Sequence, residues 1–535
     1  MDLHDKIGLL IDDMPEMRSA MRIQLADAGL EKCDTARNVK EAIDRLREKR
    51  YDLIVCDYNL GQGADGQQFL ELVRRKQILP LSTAFLIVTG ETGYEQVSTA
   101  AEYAPDDYLL KPFTADLLGT RIGRILDKKA ALAPIHRHLG PGGDRAKALA
   151  ACDALLAQGG RHLLDVLHLK GDLLAASGSN QEALALYEGV LQQRATPWAE
   201  VGKARILAAL GQEDAAKDHL QHALAAYPNY LAAYDSLAQL VEKTDKAAAQ
   251  QIVERALQVA PSTQRQRRLG NLAMENKDYA RAETAFRRTV EKDRTGFFKG
   301  HDDYVGLAKS CVEQGKTMEA LAAVKDMGTS FANTPELKAR QAAVECQVHV
   351  RSGNATAAQA ALDRALGMQK AGGLDAATAL EVAQACFAGG KQEEAKQIIQ
   401  TVAEDHDENP AILAQAQSVF AAAGLDDEGT LFLEATKKRM IRLNNDAVAL
   451  AKAGQLDDAI AMLTEAADRL PNNCQIAINA AQALLMHVLR NGADAARVAR
   501  ARGYLEQARA INPEHPKLAE ASAFHDKVAK AAPAT

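Results

Sequence analysis

Four short apolar runs in the first quarter of the chain end in residues suited to moving a charged group onto a carboxylate. Asp57 follows Leu53-Ile54-Val55-Cys56, and the acid pair Asp12-Asp13 follows Ile7-Gly8-Leu9-Leu10-Ile11. Thr89 follows Phe85-Leu86-Ile87-Val88, Lys111-Pro112 follows Tyr108-Leu109-Leu110, and Asn59 lies two residues past Asp57. Phosphoryl transfer to a carboxylate needs an ionised oxygen nucleophile at a cleft. It also needs a divalent cation to offset the incoming charge, and magnesium takes hard oxygen ligands of the kind Asp12, Asp13 and Asp57 supply. A fixed ammonium and a hydroxyl, here Lys111 and Thr89, would steady the equatorial oxygens. Taken singly, an aspartate after a strand is a loop residue or a helix cap, and a Lys-Pro is a turn. The set in this order carries the reading.

The elements needed to bring these residues together are legible. Strands are expected near 7–11, 32–36, 52–56, 84–88 and 107–110, and helices near 15–28, 38–49, 66–76, 93–103 and 114–131. Asn38 and Thr114 stand where they can cap the helices that follow. Five strand–helix units predict an α/β doubly wound, five-stranded parallel sheet. Ligands bind outside the carboxyl ends of such strands, where all these residues fall.

With those motifs in family order and spacing, residues 1–131 resemble the receiver domain of bacterial two-component response regulators, a flavodoxin-like fold. The resemblance implies that Asp57 is the phosphoacceptor and that Asp12, Asp13, Asp57 and the carbonyl of Asn59 hold Mg2+. It makes Lys111 the phosphoryl contact, with a cis Lys111-Pro112 peptide, and Thr89 and Tyr108 a switch pair in which Tyr108 turns inward on phosphorylation. Asn59 and Glu91 match a pair found in chemotaxis single-domain receivers, which implies a short-lived phosphoryl group. The loop Gly61-Gln62-Gly63-Ala64-Asp65-Gly66 departs from the family, which usually has a proline after the acceptor, and Gly90 stands in place of the commoner alanine.

A length of 535 residues asks for two to four folding units. Apolar content of 47% with 25% charge is globular, and a formal charge of −7 gives no electrostatic reason to expect nucleic acid or an anionic membrane as main partner. The seven cysteines are scattered without a C-x-x-C pair, which reads as buried thiols in a reducing compartment. No leader and no run of 18 apolar residues is evident, so a cytoplasmic protein without membrane insertion is expected.

A linker is expected over 132–145, where Pro134 is followed by Gly140-Pro141-Gly142-Gly143. Beyond it the chain repeats. Gly171, Ala204, Leu237 and Gly270 are each 33 residues apart, as are Ala183, Ala216, Ala249 and Ala282, and Tyr187, Leu220, Val253 and Phe286. Small residues let paired helices approach, and the larger ones fill the gap to the next pair. The pattern resembles the tetratricopeptide repeat (TPR) family, in nine or ten repeats over 146–520 with Lys147–Leu156 as an incomplete cap, followed by an Ala-rich tail at 521–535. An all-α solenoid of this kind implies a peptide groove. The register puts Asp165, His168, Asp172, Trp198, Arg205, Tyr234, Arg267, Asn271, Asp302 and Lys309 on it. Arg267 and Asn271 resemble half of a carboxylate grip found in chaperone-binding members. Trp198 reads more readily as a packing residue at a repeat start than as a binding hot spot, and the basic run Arg265, Arg267, Arg268, Arg281, Arg287, Arg288, Lys292 and Arg294 reads as a solvated face, with a patch for an acidic partner as the alternative.

The expectation is therefore an adaptor: a receiver phosphorylated by a sensor histidine kinase or phosphotransfer protein, and repeats that hold a protein or peptide partner. The alternative is a phosphate sink that drains a kinase, with the repeats as a tether. Nothing after residue 140 offers a nucleophile with its base, a phosphate loop or a basic recognition helix. No enzymatic output beyond acceptor and autodephosphorylation chemistry is expected, and no DNA binding. The sequence leaves the oligomeric state open.

Overall fold

The structure, a computed structural model, describes residues 3–61, 64–90, 105–140, 142–293, 299–492 and 494–531. Two compact units divide the chain, residues 1–310 and 311–535.

The first unit begins with five parallel strands, β1 (Ile7–Ile11), β2 (Lys32–Ala36), β3 (Leu53–Asp57), β4 (Ala84–Thr89) and β5 (Asp107–Leu110), in the order β2-β1-β3-β4-β5. Successive side chains of a strand point to opposite faces, and both faces are filled. Leu9, Ile11, Ile54, Cys56, Phe85 and Ile87 meet the layer of α2 (Val39–Glu48) and α3 (Gly66–Arg75). Leu10, Leu53, Val55, Leu86 and Val88 meet the layer of α1 (Pro15–Asp27) and α4 (Ala115–His136). Burial on both faces is why these strands read as continuous apolar runs. Asn38 accepts from the Glu41 backbone N–H, and Thr114 from that of Leu117, as their cap positions predict. The helix expected at 93–103 lies outside the described residues.

The last helix of this domain runs five residues past its expected end and through Pro134. Its extension buries Leu132 and Ile135 against Ala148 and Cys152 of α5 (Arg145–Gln158) and against Val166 beyond it. That burial offsets the hydrogen bond a proline removes from a helix. The expected linker is thus largely helical on both sides, and Gly140 and Gly142 turn the chain with positive φ.

Helix pairs follow: 163–176 with 180–193, 197–209 with 213–226, 231–242 with 246–259, and 263–275 with 279–293. Tyr187 is wedged between Gly171 and Gly202, where an added Cβ would lie 2.7 and 2.4 Å from its ring; Phe286 sits likewise between Gly270 and Gly306. Arg265, Arg267 and Arg268 do not form a solvated face. Arg265 binds Asp235 through two bonds of 2.9 and 2.6 Å, Arg268 binds Glu242 at 2.7 Å, and Arg267 binds Asp303 at 2.7 and 2.6 Å. Each partner lies about one repeat away, so the arginines staple adjoining repeats.

The second unit continues the pairs to 474–491 with 495–511. One helix, Asp426–Lys452, serves as the second of one pair and the first of the next. No glycine or proline lies between Thr430 and Lys452 to break it. Among the described residues this makes ten pairs from Leu163 to Ile511. Residues 518–531, mostly within the expected tail, form a further helix that buries Ala521 and Val528.

Candidate functional site

In the strand order above, the direction in which the sheet grows reverses between β1 and β3, and the crevice at their carboxyl ends is the ligand position of such sheets. Asp12 and Asp13 follow β1, and Asp57 ends β3. Carboxylate oxygens of the three lie within 4.8 Å of one another. Lys111 reaches two of them, its Nζ 3.2 Å from Asp57 and 3.5 Å from Asp12. The Lys111-Pro112 peptide is cis.

Each group is fixed from behind. Asp12 is fully buried; its Oδ1 accepts from the Met14 N–H at 2.9 Å, and Arg18 donates to its carbonyl at 2.6 Å. Burial pushes the Asp57 carboxyl above the ordinary aspartate range; Lys111 draws it back, and the charge of Asp12 adds to the rise. Asn59 is exposed, its Oδ1 accepting from the Gly61 N–H at 3.1 Å. The glycines of this loop have a use that the spacing alone did not reveal. A Cβ on Gly66 would lie 2.4 Å from the Asp57 carbonyl, and one on Gly61 would lie 2.7 Å from Asp13 Oδ2. They let the loop close tightly around the acid cluster.

Thr89, the last residue of β4, is buried. Tyr108 stands on the neighbouring strand β5. Its ring is already inward, 5% exposed, and its hydroxyl donates to Gln67 Oε1 at 3.1 Å. Gln67, in the first turn of α3, was not singled out by sequence; this bond favours the inward rotamer. Tyr108→Phe is expected to destabilise the first unit by about 1 kcal/mol in urea titrations; no change would mean the bond is immaterial. Glu91 lies outside the described residues.

A second constellation forms in the first three repeats. His168, Asp172, Trp198 and Arg205 line one cavity of about 220 Å³, with Tyr187 and Tyr230. His168 stacks on Trp198 with ring centroids 4.5 Å apart and pairs with Asp172 at 3.6 Å. Burial lowers the His168 pKa and raises that of Asp172, pressing both toward neutrality. Arg205 is anchored by its Nε, which donates to Ser236 Oγ at 3.0 Å. Other expected groove residues lie elsewhere. Asp165 is held by Lys128 of α4 and by His162, and Tyr234 is buried beneath Arg255. Arg267 is engaged by Asp303, and Asn271 is exposed apart from the cavity.

Comparison with known proteins agrees with the crevice. A family model described as "Response regulator receiver domain" matches residues 9–123. The chemotaxis protein CheY of Pseudomonas aeruginosa is 32% identical over 123 residues, 22% of this chain and 95% of its own length. The chain belongs to the response regulator receiver family. Chemotaxis protein CheY-3 of Vibrio cholerae is 29% identical over 120 residues, 22% of this chain and 91% of its own. A "Tetratricopeptide repeat" model matches 239–297 and 346–410, so the receiver is followed by TPR units. Among solved structures, Vibrio cholerae CheY4 is 28% identical, covering 23% of this chain and 98% of its own, with a TM-score of 0.21. Part of a TPR protein from Cytophaga hutchinsonii is 15% identical, covering 46% and 96%, with a TM-score of 0.37. The cysteines are free thiols, six of them buried, and no described helix is long and apolar enough to cross a membrane.

Proposed function

We propose that this protein is a phosphorylation-controlled adaptor of a bacterial two-component system, acting in the cytoplasm. The convergence of Asp12, Asp13, Asp57 and Lys111 at the switch point of the sheet carries this reading. Three carboxylates so close, with one burdened by burial, fit a hard divalent cation, and Asp12, Asp13, Asp57 and the carbonyl of Asn59 would hold Mg2+. When bound, the ion supplies the positive charge that keeps Asp57 ionised and offsets the phosphoryl oxygens. An Asp57 oxygen attacks phosphorus of a donor phosphohistidine. The P–N bond breaks, the ring nitrogen keeps its electron pair, and an aspartyl phosphate remains. Lys111 Nζ, already beside Asp57, follows the developing charge, and the Thr89 hydroxyl donates to a phosphoryl oxygen.

The outlet is the repeat array. Helix α4 leaves the receiver and carries Leu132 and Ile135 into the packing of the first helices, with Lys128 tied to Asp165. One and two turns along from Asp165 stand His168 and Asp172 of the cavity that holds Trp198 and Arg205, which we assign to a protein or peptide partner. The test is partner affinity for wild type and Asp57→Asn, each with and without acetyl phosphate. A phosphodonor-dependent change in wild type alone is expected; identical affinities throughout would sink the reading. Trp198→Ala and Arg205→Ala should each weaken the partner at least about tenfold. Asn59, exposed near Asp57, supports a second reading as a phosphate sink; a rapid phosphoryl loss that Asn59→Ala slows, without any effect on partner affinity, would favour it.

A further inference from the structure

The long helix of the second unit has a solvent face unlike that of its neighbours. Leu431, Ile441 and Val448 are 68%, 51% and 48% exposed. At 100° per residue they share one side of the helix with Lys437, Lys438 and Arg442. Those three cations are exposed and make no ion pair among the described residues, whereas Arg439 is held by Glu404 at 2.7 Å. Toward its amino-terminal half the same side opens onto a cavity of about 330 Å³ between helices 392–405, 410–422 and 426–452, with Leu413, Leu433 and Ala403 in its wall.

Single exposed aliphatics need no explanation, but Ile441 and Val448 fall on the stripe that Thr430, Glu434 and Lys437 carry into the cavity, and with cations on either side of them they form a docking surface. Its span from Leu431 to Val448 is roughly 26 Å, the length of a partner helix of about five turns. Charge selects the occupant. Two carboxylates, Asp407 and Glu434, line the cavity end, and Asp407 is already bound by the Asn473 side chain at 2.9 Å. The excess of positive charge lies toward Lys438 and Arg442. We propose that this face binds an acidic amphipathic helix of a protein partner, with an apolar anchor beside Leu413 and Leu433, further apolar residues on Ile441 and Val448, and carboxylates on Lys437, Lys438 and Arg442. The proposal does not depend on the Trp198 cavity.

The test uses the full chain and a fluorescent helical peptide of about 20 residues, leucine on one face and glutamate on the other, beside a control with lysine for glutamate. Wild type should bind the acidic peptide at least about tenfold more tightly, with affinity falling as salt rises. The triple variant Lys437→Glu, Lys438→Glu, Arg442→Glu should lose that preference, and Ile441→Asp should weaken the acidic peptide about tenfold. All four positions are exposed, and circular dichroism should show an unchanged fold. Equal affinity for both peptides, or an unaltered preference in the triple variant, would overturn the proposal. So would self-association of wild type that Ile441→Asp abolishes, because the occupant would then be a second copy of the chain.

Discussion

Asp57→Asn is expected to abolish phosphoryl incorporation from acetyl phosphate, a loss of at least about 10³-fold, while leaving the receiver folded and no less stable. The amide has the shape of the carboxyl group but cannot act as an oxygen nucleophile. The stability half follows from the crowding of the acid cluster. Burial and the charge of Asp12 raise the Asp57 pKa in the folded state, so the folded protein binds its proton more tightly than the unfolded chain does. Its ionised form therefore costs stability as pH rises from the ordinary aspartate range through the raised value. The variant escapes that cost, so its margin over wild type should widen from acid to neutral pH. Magnesium should reverse the order by stabilising wild type more than the variant. Phosphate-affinity electrophoresis and urea titrations at both pH values, with and without Mg2+, check the two halves separately. Phosphorylation that survives the substitution would remove Asp57 from its assigned role. A wild type more stable than the variant at neutral pH without Mg2+ would contradict the electrostatic account.

The crevice was legible because each of its groups follows an apolar run, and burial on both faces makes such runs conspicuous. What was not legible depends on approach in three dimensions. Gly66 looked like part of an irregular loop, yet its lack of a side chain is what admits the Asp57 carbonyl. Gln67 gave no sign of its bond to Tyr108, since the two are far apart in sequence. Pro134 signals a helix end locally, but Leu132 and Ile135 find a buried surface that carries the helix past it. In the repeats, the 33-residue register located the small and large packing positions but misjudged the arginines. Their acidic partners Asp235, Glu242 and Asp303 stand about one repeat away, an offset that periodicity of apolar residues does not reveal. The same register placed Tyr234 on the groove, although its ring is 5% exposed.

Asp303→Ala should cost about 3 kcal/mol, far more than loss of an exposed pair from the same helices. Asp303 is 1% exposed and takes both bonds from Arg267 at 2.7 and 2.6 Å, the bidentate geometry that makes guanidinium–carboxylate pairs strong. Deleting the acid leaves a guanidinium whose side chain is only 28% exposed with its two short bonds gone. Glu275→Ala is the control. It removes a pair to Lys246 in which the two side chains are 46% and 54% exposed, and should cost below about 1 kcal/mol. The double variant Arg267→Met, Asp303→Leu should recover most of the loss, because an apolar pair of similar volume replaces both charges. In a stacked array each repeat is stabilised by its neighbours, so the deficit should appear as earlier unfolding of the fourth and fifth pairs, readable by hydrogen exchange in helices 263–275 and 301–313. The outcome also decides what Arg267 is for. A cost below about 1 kcal/mol would mean that the guanidinium readily exchanges Asp303 for solvent, which would return it to the set of groove residues able to grip a partner's carboxylate. A cost near the expected value fixes it as a staple between repeats and leaves Arg205 as the arginine of the groove.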